Sequence, residues 1–351
     1  MKKDIRDLSF EELSSVISNM GEPRHRVAQI FKWLYGKQAL SFSEMTNIPK
    51  KFIEKLETEF TLSNMIREDL AEAKDGTRKF LWKLHDGACI ESVTIPSKGR
   101  NTICVSTQAG CKFRCPFCAS GAGGFKRNLT PGEIVGQIVM AQRFLGERIT
   151  NVVFMGMGEP LDNFPNLARA IRLINGSEAL AVAARKITVS TCGLVPGINK
   201  LKNIGVQVEL AVSLHATKDP LRDVLVPVNR KYSISELMAV LQEYFADTGR
   251  VVTLEYALIK DVNDSLPDAE GLAGIAKKLK AKVNLIRCNA SGARGYEAST
   301  ERAAELFRRK LEARGVKATL RRSRGLDIAA SCGQLAAGYK AKPGKIKEEN
   351  N

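Results

Sequence analysis

Gly110-Cys-Lys-Phe-Arg-Cys-Pro-Phe-Cys-Ala119 sets Cys111, Cys115 and Cys118 in a C-x3-C-x2-C spacing. The three thiolates can face one metal centre, and the run supplies no fourth. Structural zinc sites are closed and four-coordinate, and they are usually built from paired C-x2-C units. Iron–sulfur clusters are also held by thiolates, normally four of them. A three-cysteine set therefore leaves one iron open to a small molecule. That geometry belongs to a cluster that does chemistry. A zinc ion completed by a distant fourth ligand, in an RNA-binding protein, is the competing reading.

The cysteine run lies at the head of a strand, loop, helix rhythm that starts near residue 100. Strands are predicted at Thr102–Ser106, Asn151–Met155, Lys186–Ser190, Val206–His215, Val251–Ile259 and Lys282–Arg287, with a further one at Val316–Arg321. Helix starts lie between them. Thr130-Pro-Gly-Glu133 offers an N-cap, a first-position proline and a capping glutamate, and Ser233 with Glu236 repeats the device. Such β-α units imply an α/β fold with a parallel sheet, open or curled into a barrel. Val206–His215 favours the barrel. Val206, Val208, Leu210, Val212 and Leu214 alternate with Gln207, Glu209, Ala211, Ser213 and His215, and Thr253 and Glu255 continue the pattern in the next strand. A parallel strand buried on both faces reads apolar throughout, whereas one polar face suits a ligand-filled lumen. The predicted architecture is a partial (β/α)6 barrel over residues 100–338. A small helical accessory domain (1–65) and a β-hairpin linker (66–99) precede it, and a basic, disordered tail (339–351) follows.

Within the first domain, Ser9 and Glu12 form a candidate capping box, and Val27, Ile30, Phe31 and Leu34 recur at helical spacing over Arg24–Tyr35. Arg24, Arg26 and Lys32 fall on the opposite face. The runs at 78–84 and 89–95, split by Asp86-Gly87, read as a hairpin ending at Pro96.

The 351-residue chain is 44% hydrophobic and 26% charged, enough for a sizeable core under a solvated surface. Lys and Arg total 54 against 38 Asp and Glu, a net charge of +16. A polyanion, nucleic acid first, is the natural partner of such a surface. No segment approaches the ~20 apolar residues of a membrane span. The N-terminus lacks the apolar core of an export signal. The chain therefore reads as cytoplasmic, where its eight cysteines more often bind metal than form staples.

Gly156-Met-Gly-Glu-Pro160 follows the second barrel strand, where backbone can approach a ligand and Glu159 could accept a hydrogen bond. Ser190, Ser213, His215 and Asn289 fall at other strand ends, where barrels of this type keep their working residues. These stretches, with Gln29-Ile-Phe-Lys-Trp-Leu-Tyr35, Val212-Ser-Leu-His-Ala216 and Cys332-Gly-Gln-Leu335, resemble the RlmN/Cfr family of radical S-adenosylmethionine (SAM) RNA methyltransferases over essentially Leu8 to Tyr339.

The resemblance implies a [4Fe-4S] cluster on Cys111, Cys115 and Cys118, and two SAM molecules per turnover. It implies SAM contacts from Gly158, Glu159, Ser190, Ser213, Leu214, His215 and Asn289. Adenine C2 is too electron-poor for methylation by an electrophile, so the family uses a radical. One SAM methylates Cys332, and a second yields a deoxyadenosyl radical that takes hydrogen from that methyl group. The carbon adds to C2, and Cys104 attacks the Cys332 sulfur, leaving a Cys104–Cys332 disulfide. Glu91 matches the family's proton acceptor. The implied substrates are an adenosine of the peptidyl transferase centre in 23S rRNA and an adenosine in tRNA. A reductant such as flavodoxin and a monomeric state complete the expectation. Methylation at adenine C8, as in Cfr-type enzymes, is the alternative within the family, and a radical SAM activase acting on a protein is another.

One departure stands out: Asn289 is followed by Ala290-Ser-Gly-Ala-Arg-Gly295, where the family commonly carries Asn-Pro. Arg321, Arg322, Arg324, Lys126 and Arg127 are candidate phosphate contacts. Cys89, Cys192 and Cys288 read as small buried apolar residues.

Overall fold

The computed structural model describes residues 2–62, 65–289 and 295–336. The loop segment 290–294 and the predicted tail at 339–351 lie outside the described residues.

The N-terminal block is tied end to end by β1 (Lys3–Asp4) and β2 (Phe60–Thr61), which pair in parallel. Between them stand α1 (Phe10–Asn19), α2 (His25–Phe31) and α3 (Lys50–Glu59). Ser9 and Glu12 do make a reciprocal capping box on α1. The helix predicted over Arg24–Tyr35 is α-helical only to Phe31, and Lys32–Gly36 continues as a π-turn. Trp33, Leu34 and Tyr35 are consecutive and all buried, which one face of a regular α-helix cannot provide.

One ten-stranded sheet organises the rest. It begins with β3 (Met65–Glu72), β4 (Arg78–Leu84), β5 (Cys89–Ser97) and β6 (Arg100–Cys104), paired antiparallel in succession. A separate antiparallel pair, β7 (Gln108–Gly110) and β8 (Phe125–Asn128), brackets the cysteine run. The sheet resumes from β6 with β9 (Asn151–Phe154), β10 (Ile187–Thr191), β11 (Glu209–Ser213), β12 (Thr253–Leu258), β13 (Lys282–Arg287) and β14 (Ala318–Arg321). Every pairing in this half is parallel. Helices α4 (Pro131–Leu145), α5 (Phe164–Asn175), α6 (Val195–Leu201), α7 (Asp219–Leu225), α8 (Ile234–Thr248), α9 (Leu266–Lys278) and α10 (Glu301–Ala313) alternate with these strands. The capping boxes at Thr130 and Ser233 open α4 and α8.

Two features differ from the sequence reading. The stretch expected to link two domains is three antiparallel strands of the same sheet. Its first strand, Met65–Glu72, was not predicted because it is largely exposed and lacks apolar alternation. The N-terminal block is also fastened to the barrel. The Asp7 carboxylate accepts from the Gly132 N–H at the start of α4 (2.8 Å), and Arg169 of α5 donates to the Asp7 carbonyl (2.8 Å). Apolar side chains run without a break from this block into the sheet core.

Among the described residues β14 pairs with β13 alone, so the sheet does not close on itself. The chain after β14 crosses the gap instead. Gly325 N–H donates to Asp75 Oδ2 (3.1 Å), Lys79 Nζ to the Ala329 carbonyl (3.2 Å) and Ala336 N–H to Glu91 Oε2 (2.7 Å). The loop carrying Cys332 is therefore the piece that spans the open side of the barrel.

Candidate active site

Cys104 ends β6, and β7 leads the chain from there into the cysteine loop. That loop is held by its own backbone: Cys111 N–H donates to Gly124 O (3.2 Å), Cys118 N–H to Cys115 O (3.0 Å) and Gly121 N–H to Cys118 O (3.3 Å). Gly110 has φ +78°, and a Cβ there would lie 1.8 Å from the Gly124 carbonyl oxygen. Only glycine closes this turn.

Cys111, Cys115 and Cys118 open onto one cavity with Phe113, Phe117 and Val226. Burial pushes the Cys111 thiol up to about 12 and raises that of Cys115 well above its ordinary value. In such a site the thiols ionise by coordinating metal, which deprotonates them outright. Three thiols spread around a cavity fit separate irons of one cluster better than the tetrahedral shell of one zinc ion.

The same cavity takes in Gly156, Gly158, Glu159, Ser190, Ser213, His215 and Asn289. At Gly156 a Cβ would sit 2.6 Å from the Val105 carbonyl oxygen. The Glu159 carboxylate is buried and already engaged: Oε1 accepts from Leu161 N–H (3.0 Å) and Oε2 from Cys192 N–H (2.8 Å). Burial raises its pKa against those bonds. Glu159 thus shapes the loop while still bordering the cavity. His215 sits in the left-handed region (φ 57°), and its Nδ1 accepts from Ala257 N–H at 2.9 Å. Burial, then the Arg222 charge, push it down to about 3. The ring is neutral, with its proton on Nε2.

Leu214 does not face the cavity. It is buried in the core, on the opposite face of the strand from Ser213 and His215, as the two-residue period requires. Only its backbone reaches this region, its carbonyl accepting from Arg222 Nε (3.1 Å). Asn289 is partly spent on structure: Nδ2 donates to the Cys332 carbonyl (3.0 Å) and Oδ1 accepts from Ser323 Oγ (2.7 Å).

Two residues that sequence reasoning missed complete the cavity and its floor. Glu255, whose inward alternation was visible, points into the cavity and is nearly inaccessible. Its Oε1 accepts from Asn284 Nδ2 (2.9 Å), while Oε2 is buried with no hydrogen-bond partner among the described residues. An orphaned acceptor of this kind awaits a donor such as a ribose hydroxyl or an ammonium group. Beside the open side of the three thiols, it fits SAM. Arg222 lies fully buried below, and nothing in its local sequence distinguishes it from a surface helix arginine.

A second cavity adjoins the first and is lined by Cys104, Cys332, Arg321, Val93, Met155 and Asn289. The two cysteines, 228 residues apart in sequence, are thereby brought together. Burial pushes the Cys104 thiol up to about 12 and raises that of Cys332, with Arg321 opposing both. Cys332 is exposed, but into these cavities, both of which it lines, with protein packed closely around it. Its loop is further held by Ala119 N–H donating to Gly333 O (2.7 Å) and Ser120 Oγ to Leu335 O (2.7 Å). Glu91 does not line the cavity. It is buried behind it, paired to Lys79 (3.4 Å) and accepting from Ala336 N–H.

The basic side chains divide. Arg322 and Lys126 are exposed, and Arg324 is exposed while reaching the Asp75 carbonyl (3.5 Å). Arg127 is not an uncommitted cation: it is bound to Asp86 (2.6 Å) and Glu133 (2.7 Å). Cys192, read as a bland apolar residue, lines the first cavity with its thiol facing Glu159.

Comparison with known proteins agrees with this arrangement. Residues 105–270 match the radical SAM superfamily, and residues 3–62 match the ribosomal RNA large subunit methyltransferase N-terminal domain. A Clostridium perfringens (strain 13) protein named "probable dual-specificity RNA methyltransferase RlmN" is 44% identical, covering 96% of this chain and 97% of its own length. The Thermotoga neapolitana protein of the same name is 46% identical over 95% of this chain and 97% of its own. A crystal structure of a radical SAM methyltransferase from Sphaerobacter thermophilus superposes with a TM-score of 0.93 at 44% identity, covering 95% of this chain and 99% of that one. With identity of this level along nearly its whole length, the chain belongs to the RlmN family of radical SAM RNA methyltransferases.

Proposed function

We propose that this protein methylates C2 of adenosine in 23S rRNA and in tRNA, with Cys332 as the methyl carrier and Cys104 as the thiol that releases the product. The observation that carries the reading is the shared cavity of Cys104 and Cys332, continuous in place with the three-thiol pocket. A chain that needed only a cluster, or only an RNA surface, has no use for two further thiols brought from distant segments to the mouth of that pocket.

Cys111, Cys115 and Cys118 would hold a [4Fe-4S] cluster, and SAM would lie against Gly156–Glu159, Ser190, Ser213, His215 and Glu255. When bound, the pair supplies reductive cleavage of SAM to a hydrogen-abstracting radical. The protein's own residues do the remaining work. Cys332 gives up its proton and takes a methyl group. After losing one hydrogen atom, that carbon bonds C2; the adduct then gives up one electron, which the cluster would take back, and the C2 proton departs. Cys104, as its thiolate, then attacks the Cys332 sulfur: the disulfide forms as the bond between that sulfur and the transferred carbon breaks, and the carbon keeps the electron pair and takes up a proton to become methyl. Glu91, as proton acceptor, would have to exchange its bond to Ala336 N–H for the C2 proton, a rearrangement of the loop rather than a reach across an open pocket.

The target adenosine must be unstacked to enter, as in RNA loops. Exposed Lys126, Arg322, Arg24 and Lys32 are proposed to meet phosphates, with affinity falling steeply as salt rises. No helix among the described residues is long and apolar enough to cross a membrane. A cytoplasmic monomer served by a low-potential donor of the flavodoxin class completes the proposal. C2 rather than C8 is supported by the names of the relatives and the match of the N-terminal block. Target RNA deuterated at adenine C2 or at C8 tests the choice. Loss of deuterium from C2 with retention at C8 is expected, and the reverse would overturn it.

A further inference from the structure

Arg222 is among the largest fully buried side chains in the protein, and its four hydrogen bonds all go to uncharged acceptors. Nε donates to Leu214 O (3.1 Å), Nη1 to Asn229 Oδ1 (2.9 Å), and Nη2 to Cys192 O (2.7 Å) and Ser213 O (3.2 Å). The carboxylates of its own helix, Asp219 and Asp223, bond Asn229 Nδ2 (2.9 and 2.7 Å) rather than the guanidinium and act on it through space. Gly193 (φ +105°) leaves the space the guanidinium occupies: a Cβ there would lie 3.0 Å from Nη2. A buried cation is costly unless it is compensated.

Further compensation lies overhead. Cys192 and Ser213, whose carbonyls the guanidinium binds, line the three-thiol cavity, and Cys115 packs on the same apolar cluster as Leu225 and Val226, three and four residues beyond Arg222. Three thiolates on a doubly positive cluster core sum to one negative charge, and one added electron makes it two.

We propose that Arg222 is the buried counter-charge of the iron–sulfur cluster and that it raises the cluster's reduction midpoint. The inference rests on the reading of Cys111, Cys115 and Cys118 as cluster ligands. A fixed cation in a dry site stabilises the more negative, reduced cluster without any reorganisation. A low-potential donor of the flavodoxin class supplies the electron, and Arg222 makes that transfer less uphill. Arg222 touches neither substrate nor reacting atoms, so its role is tuning.

The test is a dithionite titration of the anaerobically reconstituted full chain, followed by electron paramagnetic resonance of the reduced cluster. Arg222→Gln is expected to hold about tenfold less reduced cluster at a fixed potential, a midpoint lower by about 59 mV for a one-electron couple. Arg222→Lys keeps the charge while losing the fork, and it is expected to keep the wild-type midpoint. A wild-type midpoint in an iron-replete Arg222→Gln protein would overturn the proposal. So would equal shifts in the two variants, which would mark a purely structural role. Should Arg222→Gln fail to fold, Arg222→Lys decides alone: an unchanged midpoint supports the proposal and a tenfold loss of reduced cluster overturns it. A wild-type protein that binds no cluster would instead overturn the ligand assignment itself.

Discussion

The two loops that meet at the cavity are built on opposite plans. The cysteine loop, 111–124, is closed by hydrogen bonds among residues at most 13 apart and by one glycine turn with no room for a side chain. The Cys332 loop has a short turn of its own at Ser331–Gln334, but its position comes from elsewhere. Asp75, Lys79 and Glu91 hold it from one side of the gap in the barrel, Ala119 and Ser120 from the cysteine loop, and Asn289 from the end of β13. A loop that binds a cluster benefits from local rigidity, because its ligands must stand in fixed relation. On the proposed mechanism the Cys332 loop carries a methyl group, so it must accept RNA, form a covalent link and then meet Cys104. Tethers that can be exchanged one at a time suit that cycle.

The sharpest separation of the two comes from their cysteines. Cys115→Ser should abolish RNA methylation and the cluster together, whereas Cys332→Ser should abolish methylation and leave iron, sulfide and cluster absorption intact. Loss of the cluster in Cys332→Ser would show that the loops are one unit. Gly110→Ala comes next. The added Cβ overlaps backbone, so destabilisation of roughly 4 kcal/mol is expected, read as a fall in denaturant midpoint together with poor cluster retention.

The cysteine loop was legible because its information is local: spacing, flanking glycines and a strand before it. The same holds for the capping boxes at Ser9, Thr130 and Ser233, where side chain and backbone partner lie three residues apart. The parallel strands were legible from their apolar runs, and Lys282–Arg287 was placed to the residue. What the sequence could not display was long-range satisfaction. Glu91 pairing with Lys79 and capping Ala336, Asn289 holding Cys332, and Arg222 buried among carbonyls all depend on partners brought near by the fold. Residue type alone reads those side chains as solvated or as ligand contacts. Leu214 shows the same limit more simply: alternate residues of a strand face opposite ways, so its side chain lies in the core and only its backbone reaches the site. Cys104 and Cys332 were found through resemblance, since no spacing argument joins positions so far apart.

The tethered loop has its own test. Glu91→Gln keeps an acceptor for Ala336 N–H but leaves the buried Lys79 ammonium without its carboxylate, at a cost of roughly 3 kcal/mol. Cys332 should then alkylate faster with iodoacetamide while cluster content holds. Equal loss of both would break the distinction between the loops. His215 gives a smaller effect. Its pKa is near 3 in the folded state, against about 6.5 unfolded. Above 6.5 both states are neutral and the contribution is complete. As pH falls toward 3 only the unfolded chain gains the proton, so folding weakens. Between about pH 7 and about pH 5 the loss is about 2 kcal/mol. His215→Asn should flatten urea-unfolding stability over that window by the same amount, and an unchanged slope would contradict the buried, neutral imidazole.

The most direct test of the account is purification of a Cys104→Ala protein from cells that contain its RNA. With the carrier thiol present and the releasing thiol gone, the cycle should stop after carbon–carbon bond formation. Nuclease digestion followed by peptide mass analysis should find a nucleotide joined to Cys332 through a single carbon. A folded, cluster-replete Cys104→Ala protein with no nucleotide on Cys332 would contradict the account.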